Sequence, residues 1–95
     1  MDKLEKAQKA ARKHLSDNLK SFRAKHGMTQ EALSERAGFH RTYVSQLERQ
    51  AINPTLDTVV ALAVALEVRL SELLSEHDGP PATLKLGRRP SKNSA

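Results

Sequence analysis

Arg41, Thr42, Ser45 and Gln46 stand close together in the segment HRTYVSQLE. At helical spacing they fall away from Val44 and Leu47, the two apolar residues placed at i, i+3. Arginine offers a planar fork of donors, glutamine a donor beside an acceptor, and serine and threonine a hydroxyl that serves either role. On the outer face of a helix these groups suit the hydrogen-bonding edges of guanine and adenine in a duplex major groove. The ordinary alternative is a solvated polar face on a helical hairpin.

The neighbouring residues supply what is needed to hold such a face. In TQEALSERAG, Thr29 can cap a helix through its hydroxyl, and Leu33 and Ala37 share one side of it. Gly38 then allows the left-handed turn that stops a helix cheaply. Two short helices, a tight glycine turn and a polar outer face together make the pattern of a helix-turn-helix.

The rest of the chain reads as helices supporting this pair. Residues 4–26 are rich in Ala, Lys, Leu and Arg, with Leu15, Leu19 and Phe22 as a buried stripe and Gly27 as the stop. Leu4, Ala7 and Ala11 extend that stripe weakly, so the first turns are expected to fray. Asn53-Pro54 breaks the chain, and Thr55 can cap a fourth helix reaching Leu66. Its inward residues are Leu56, Val59, Leu62, Ala63 and Leu66, yet Val60, Ala61, Val64 and Ala65 make the opposite side apolar too. A helix apolar all round should be covered on both sides. The cover is either a second copy of the chain, the Leu4/Ala7/Ala11 stripe, or Leu84 and Leu86. A fifth helix is expected over Ser71–Glu76, with Val68, Leu70, Leu73 and Leu74 inward, ended by Asp78-Gly79-Pro80-Pro81. Ala82–Leu86 alternates and can form a short strand or stay extended, and GRRPSKNSA reads as disordered. The fold class is therefore all-α. Residues 1–14 form a basic, helical extension, 15–78 the domain, and 79–95 a basic flexible tail.

Ninety-five residues imply one small domain with a modest core. The net charge of +5 is unevenly spread: residues 1–26 carry +5, 27–78 carry −4, and 79–95 carry +4. Basic ends around a slightly acidic centre suit a polyanion through phosphate neutralisation. Cysteine is absent, which removes disulfides, thiolate zinc sites and cysteine nucleophiles. No secretory signal is expected, because the basic N-terminus meets no apolar run, and Val59–Leu66 is too short to span a bilayer. The expectation is a soluble protein of a bacterial or phage-like cytoplasm, associated with the nucleoid.

The strings MTQEALSERAG, HRTYVSQLER and NPTLDTVVALAVAL resemble the phage-repressor and Cro-like helix-turn-helix regulators, the XRE type, over about Leu15–Glu76. Within them, RTYVSQLER is similar to the reading helix of controller proteins of restriction–modification systems. The resemblance implies a five-helix, lambda-repressor-like DNA-binding domain acting as a dimeric regulator of transcription, a repressor among other roles. It implies that Gln30 clamps a phosphate and braces a reading helix of about 41–49. Arg41, Thr42, Ser45 and Gln46 then face base edges, and Tyr43 contacts backbone or a thymine methyl. His40 caps the helix or meets a phosphate, and Arg49 and Asn53 complete the expected DNA-contacting set. Arg23 and Glu48 are implied to form an ion pair between the first and third helices.

Val60, Val64, Leu70 and Leu74 are the expected dimer interface, since a twofold dimer needs one self-complementary patch. The implied partner is a palindromic double-stranded DNA operator. Two alternatives remain open: an antitoxin that also binds a toxin, and a protein-interaction module using helix four. The chain departs from the family pattern at Gln50 and Glu67, where glycine is usual, so both preceding helices are expected to run on by a residue or two. Arg69 replaces the usual serine of a capping box with Glu72, leaving Ser71 as a later cap.

Nothing points to catalysis, a metal or a cofactor. His14, His26, His40 and His77 share no ligand spacing, and no serine, histidine and carboxylate form a recognisable set. The aromatics are Phe22, Phe39 and Tyr43, too few for a stacking platform on single strands or RNA.

Overall fold

In the computed structural model, which describes residues 2–76, Asp2 opens the first helix with a reciprocal cap. Its carboxylate accepts from the Glu5 N–H at 2.7 Å, and the Glu5 carboxylate accepts from the Asp2 N–H at 3.4 Å. These bonds satisfy donors that a first turn otherwise leaves orphaned. α1 then runs unbroken over Lys3–His26, through residues 14 and 15. The fraying expected around Leu4 and Ala7 does not occur, because the cap holds those turns although their side chains stay exposed.

Four shorter helices follow: α2 (Gln30–Arg36), α3 (Tyr43–Glu48), α4 (Leu56–Leu66) and α5 (Leu70–Leu74). The all-α, five-helix expectation is borne out among the described residues, which contain no strand. Leu15 and Leu19 of α1, Leu33 of α2, Val44 and Leu47 of α3, Leu62 and Leu66 of α4 and Leu73 of α5 meet in one core. Burying each such side chain contributes about 1.5–3 kcal/mol. The Asn18 side-chain amide donates to the carbonyls of Leu73 and Ser75, both at 2.8 Å, and so ties the end of α5 to α1.

Three apolar residues lie where periodicity did not put them. Leu56 is 64% exposed and Leu74 is 48% exposed, whereas Ala65 is buried. A helix apolar on every side gives its hydrophobic pattern no phase, so α4 cannot be oriented from sequence alone. α5 also begins before Ser71, which caps nothing. Arg69 precedes it and has no acceptor to offer, so only half a capping box forms, with the Glu72 carboxylate accepting from the Arg69 N–H at 2.8 Å. His77, the Asp78-Gly79-Pro80-Pro81 stop, the Ala82–Leu86 fragment and the GRRPSKNSA tail lie outside the described residues.

The first four helices end in the same way. After each comes a left-handed residue: Gly27 (φ 64°), Gly38 (φ 87°), Gln50 (φ 60°) and Glu67 (φ 58°). Its N–H and the next N–H fold back onto carbonyls of the last turn. Gly38 donates to Glu35 at 3.0 Å and Phe39 to Ser34 at 2.8 Å. Gln50 donates to Leu47 and Ala51 to Gln46, both at 2.9 Å. Glu67 donates to Val64 at 3.1 Å and Val68 to Ala63 at 3.0 Å. The expected lengthening of α3 and α4 is thereby corrected: the two returning bonds impose the stop without glycine. Holding a residue with a Cβ left-handed costs about 1–2 kcal/mol, partly offset because glycine loses about 0.5–1 kcal/mol more to chain entropy. The exposed Arg36–Glu67 pair, at 3.8 Å, adds little at the α4 stop. Gln50→Gly and Glu67→Gly should therefore each stabilise the domain by about 0.5–1 kcal/mol, read as a higher urea midpoint at unchanged slope.

Candidate nucleic-acid interface

α3 is six residues long, with Val44 and Leu47 buried in the core and Tyr43 half-buried against it, so apolar packing alone leaves its rotation loosely fixed. Polar contacts on its inner side supply the direction. The buried Glu48 carboxylate receives Arg23 Nε at 2.6 Å on one oxygen and Arg23 Nη2 at 2.8 Å on the other. Gln30 Nε2 donates to the second oxygen at 2.9 Å, and the remaining Arg23 nitrogen, Nη1, donates to the Met28 carbonyl at 3.0 Å. The buried Ser16 hydroxyl donates to the Glu48 backbone carbonyl at 2.7 Å. One residue of α3 is thus bound to α1 and to α2, and its partner Arg23 ties the same hub to the α1–α2 loop. Removing one partner of a buried pair strands the other charge and costs about 3–5 kcal/mol.

The opposite end of α3 is fixed by a residue that the sequence did not advertise. The fully buried Ser34 hydroxyl accepts from the Val44 N–H at 3.0 Å and donates to the Gln30 carbonyl at 2.9 Å. Thr42, in the N-cap position, lies at φ −94°, ψ 0° and makes no side-chain cap. Ser34 therefore caps α3 from the preceding helix. A serine within a helix carries no sign of a partner ten residues on, and Ser16 carries none of one thirty-two residues on.

The outer side carries most of the expected DNA-contacting residues. The reading helix itself begins at Tyr43, not Arg41: Arg41 and Thr42 form the turn before it, where the Tyr43 N–H donates to the His40 carbonyl at 2.9 Å. His40 is exposed, and its Nδ1 accepts from the Thr42 N–H at 3.3 Å and lies 3.0 Å from the Thr42 hydroxyl. Tyr43 is half-buried with its ring tilted against Phe39, 4.7 Å between centroids. The Ser45 hydroxyl donates back to the Thr42 carbonyl at 2.7 Å, so its proton is engaged and it faces outward as an acceptor. The side chains of Arg41, Gln46 and Arg49 make no hydrogen bond or ion pair with the described residues; Arg41 and Arg49 are exposed and Gln46 half-buried. Gln30 is half-buried, with its amide turned to Glu48.

Asn53 stands apart from this group. It lines a groove of about 270 Å³ with Leu15, Pro54, Leu56 and Leu74, between α1, α4 and α5. Among the described residues no group of His, Asp or Glu could hold a metal ion, and no helix is long and apolar enough to cross a membrane.

A buried scaffold presenting unpartnered polar groups from a turn and a short helix defines a helix-turn-helix protein. Residues 19–73 match the helix-turn-helix family model, and the chain belongs to that family of transcription regulators, the XRE type, which binds double-stranded DNA. Control protein C.SmaI of Serratia marcescens is 41% identical over 61 residues, covering 64% of this chain and 73% of that protein. The crystal structure of the hypothetical transcription factor NHTF from Neisseria is similar at a TM-score of 0.70 and 36% identity, over 73% of this chain and 79% of that one. The restriction–modification controller protein C.AhdI from Aeromonas hydrophila follows at a TM-score of 0.62 and 32% identity, over 65% and 94%. These relatives are named for control and transcription, not for catalysis.

Ser34→Ala leaves the Val44 N–H buried without an acceptor and should cost about 1–3 kcal/mol. Thermal unfolding followed by circular dichroism measures it. A loss below a few tenths of a kcal/mol would show that the hydroxyl does not hold α3.

Proposed function

We propose that this chain is a sequence-specific regulator that binds a palindromic DNA operator as a homodimer in the cytoplasm. The turn at Arg41–Thr42 and the outer face of α3 enter the major groove. Arg41 and Gln46 read base edges, Thr42 and Ser45 add short hydroxyl contacts, and Tyr43 meets backbone or a thymine methyl. Gln30, His40 and Arg49 take phosphates, with Asn53 at the margin. The observation that carries this reading is the contrast between the two sides of α3. The inward Glu48 carboxylate and carbonyl and the Val44 N–H are bonded within the domain, while Arg41, Gln46 and Arg49 have no partner among the described residues.

Dimerisation is read from α4 and α5. Leu56 (64% exposed), Val60 (41%) and Val64 (71%) stand four residues apart along α4, and Leu74 of α5 (48%) lines a groove with Leu56. Leu70 lies half-buried against the core at the start of α5. An apolar row of this kind on a small domain marks an association surface. Twofold docking then sets two half-sites about one helical turn, roughly 34 Å, apart.

Two measurements test the proposal. In a selection from random duplex DNA the protein should return a palindrome, and Arg41→Ala should lose, in each half-site, one base preference and about 1–3 kcal/mol of specific binding. An unchanged motif removes Arg41 from the reading face. Light scattering should give twice the 10.5 kDa chain mass for the wild type and the chain mass for Val60→Glu/Val64→Glu. A double variant that stays dimeric moves the interface away from α4.

A further inference from the structure

Beside the end of α3 lies a second groove, of about 490 Å³, lined by Lys6, Lys9, Ala10, Lys13 and Gln50. Lys6, Lys9 and Lys13 are spaced i, i+3, i+7 and so share one face of α1. Their nearest helical carboxylates are already engaged. Asp2 and Glu5, each four residues before a lysine, close the capping box on each other's backbone, and Asp17 pairs with Lys13 at 2.7 Å. Lys6 and Lys9 are left exposed and without an ion pair among the described residues.

The position of this row matters as much as its charge. The Ser16–Glu48 bond holds α1 against the C-terminal end of α3, and the groove brings Lys6, Lys9 and Lys13 of the earlier turns of α1 beside Gln50, two residues past that end. Gln50, on the groove wall, directly follows Arg49, the member of the expected DNA-contacting set just past the end of α3. From Lys13 to Lys6 is roughly 10 Å along the helix axis. That length matches about three phosphates of one strand, which follow each other at about 3.4 Å along the duplex axis. Lysine holds phosphate as a point charge on a flexible stem, so such a row adds affinity without reading sequence.

We infer that the α1 groove at Lys6 and Lys9 takes duplex phosphates just outside the half-site read by α3. This rests on the duplex-binding reading above. The domain then contacts DNA on two surfaces: α3 selects the bases, and the N-terminal half of α1 grips the flanking backbone.

The test compares wild type with Lys6→Gln/Lys9→Gln by fluorescence anisotropy across a salt series. Two duplexes carry the selected operator, one ending at the outer edge of the half-sites and one extended by half a helical turn at each end. On the extended duplex the double variant should show a salt slope shallower by about 3.6 for the dimer, about 0.9 for each of the four phosphates, two per protomer, that are no longer neutralised. It should keep its base preference and its melting temperature, since both side chains are exposed. On the short duplex the two proteins should coincide. Equal slopes on the extended duplex overturn the inference, as does a difference that persists undiminished on the short one. A wild type with no salt-dependent duplex binding would instead overturn the parent reading.

Discussion

The buried pair of Arg23 and Glu48 fixes the geometry on which every other property of the domain rests. Three donors of Arg23 and one of Gln30 converge here on three acceptors: the two oxygens of Glu48 and the Met28 carbonyl. Desolvating both ions offsets much of their attraction, so the pair is a poor source of net stability. What it supplies is direction. The Arg23 fork meets the carboxylate through two parallel bonds, and a planar contact of that kind resists rotation in a way that Val44 and Leu47 cannot. With Ser16 on the adjacent carbonyl and Ser34 on the Val44 N–H, α3 is pinned at both ends. A helix of six residues has no other means of holding an outer face in register with a surrounding domain.

The same economy governs the connections. Each of the first four helices stops on a left-handed residue with two N–H groups turned back, and only two of those residues are glycine. At Gln50 and Glu67 the backbone accepts strain to keep the turn. Strain at a side-chain-bearing residue persists only where the surrounding structure over-determines it. After α3, that surrounding is the Glu48 hub two residues earlier and the core residue Leu47 just before it. After α4 it is Leu66, fully buried, followed by Val68 packed against the core. Glycine would relax both stops. Gln50 also brings a polar side chain to the wall of the lysine groove, which glycine would remove.

What could be read in the sequence divides along physical lines. α2, the glycine turn and the inward stripe of α3 were legible because caps, left-handed glycine and i, i+3 spacing are local signals. Arg23 and Glu48 entered through resemblance, since nothing local marks two charges twenty-five residues apart as partners. Ser16, Ser34 and Asn18 gave no sign at all: each acts on a backbone group supplied by another element, and a small polar residue on a helix usually faces water. α4 was misread at Leu56 and Ala65 for the opposite reason. Its apolar residues were plain, but a helix apolar on all sides has no preferred phase, and only packing against α1, α2 and α5 chooses the buried side.

That surplus of apolar surface bears on how so small a reader could be specific. α3 is roughly 9 Å long and presents about one groove-width of side chains to DNA. Two or three base contacts of about 1–3 kcal/mol each separate an operator from competing sequence only weakly. Doubling the contacts through a second copy raises that margin, provided the two readers sit at a fixed distance. A rigid spacing needs an interface on elements that do not themselves touch the groove. α4 and α5 meet that condition, because both join the core through Leu62, Leu66 and Leu73 while Val60, Val64 and Leu74 stay outside it. Under the proposed function, the exposed valines that look like a defect in a monomer become the rule that sets half-site spacing. The Glu48 hub then does the complementary task of relating each reading helix to that interface.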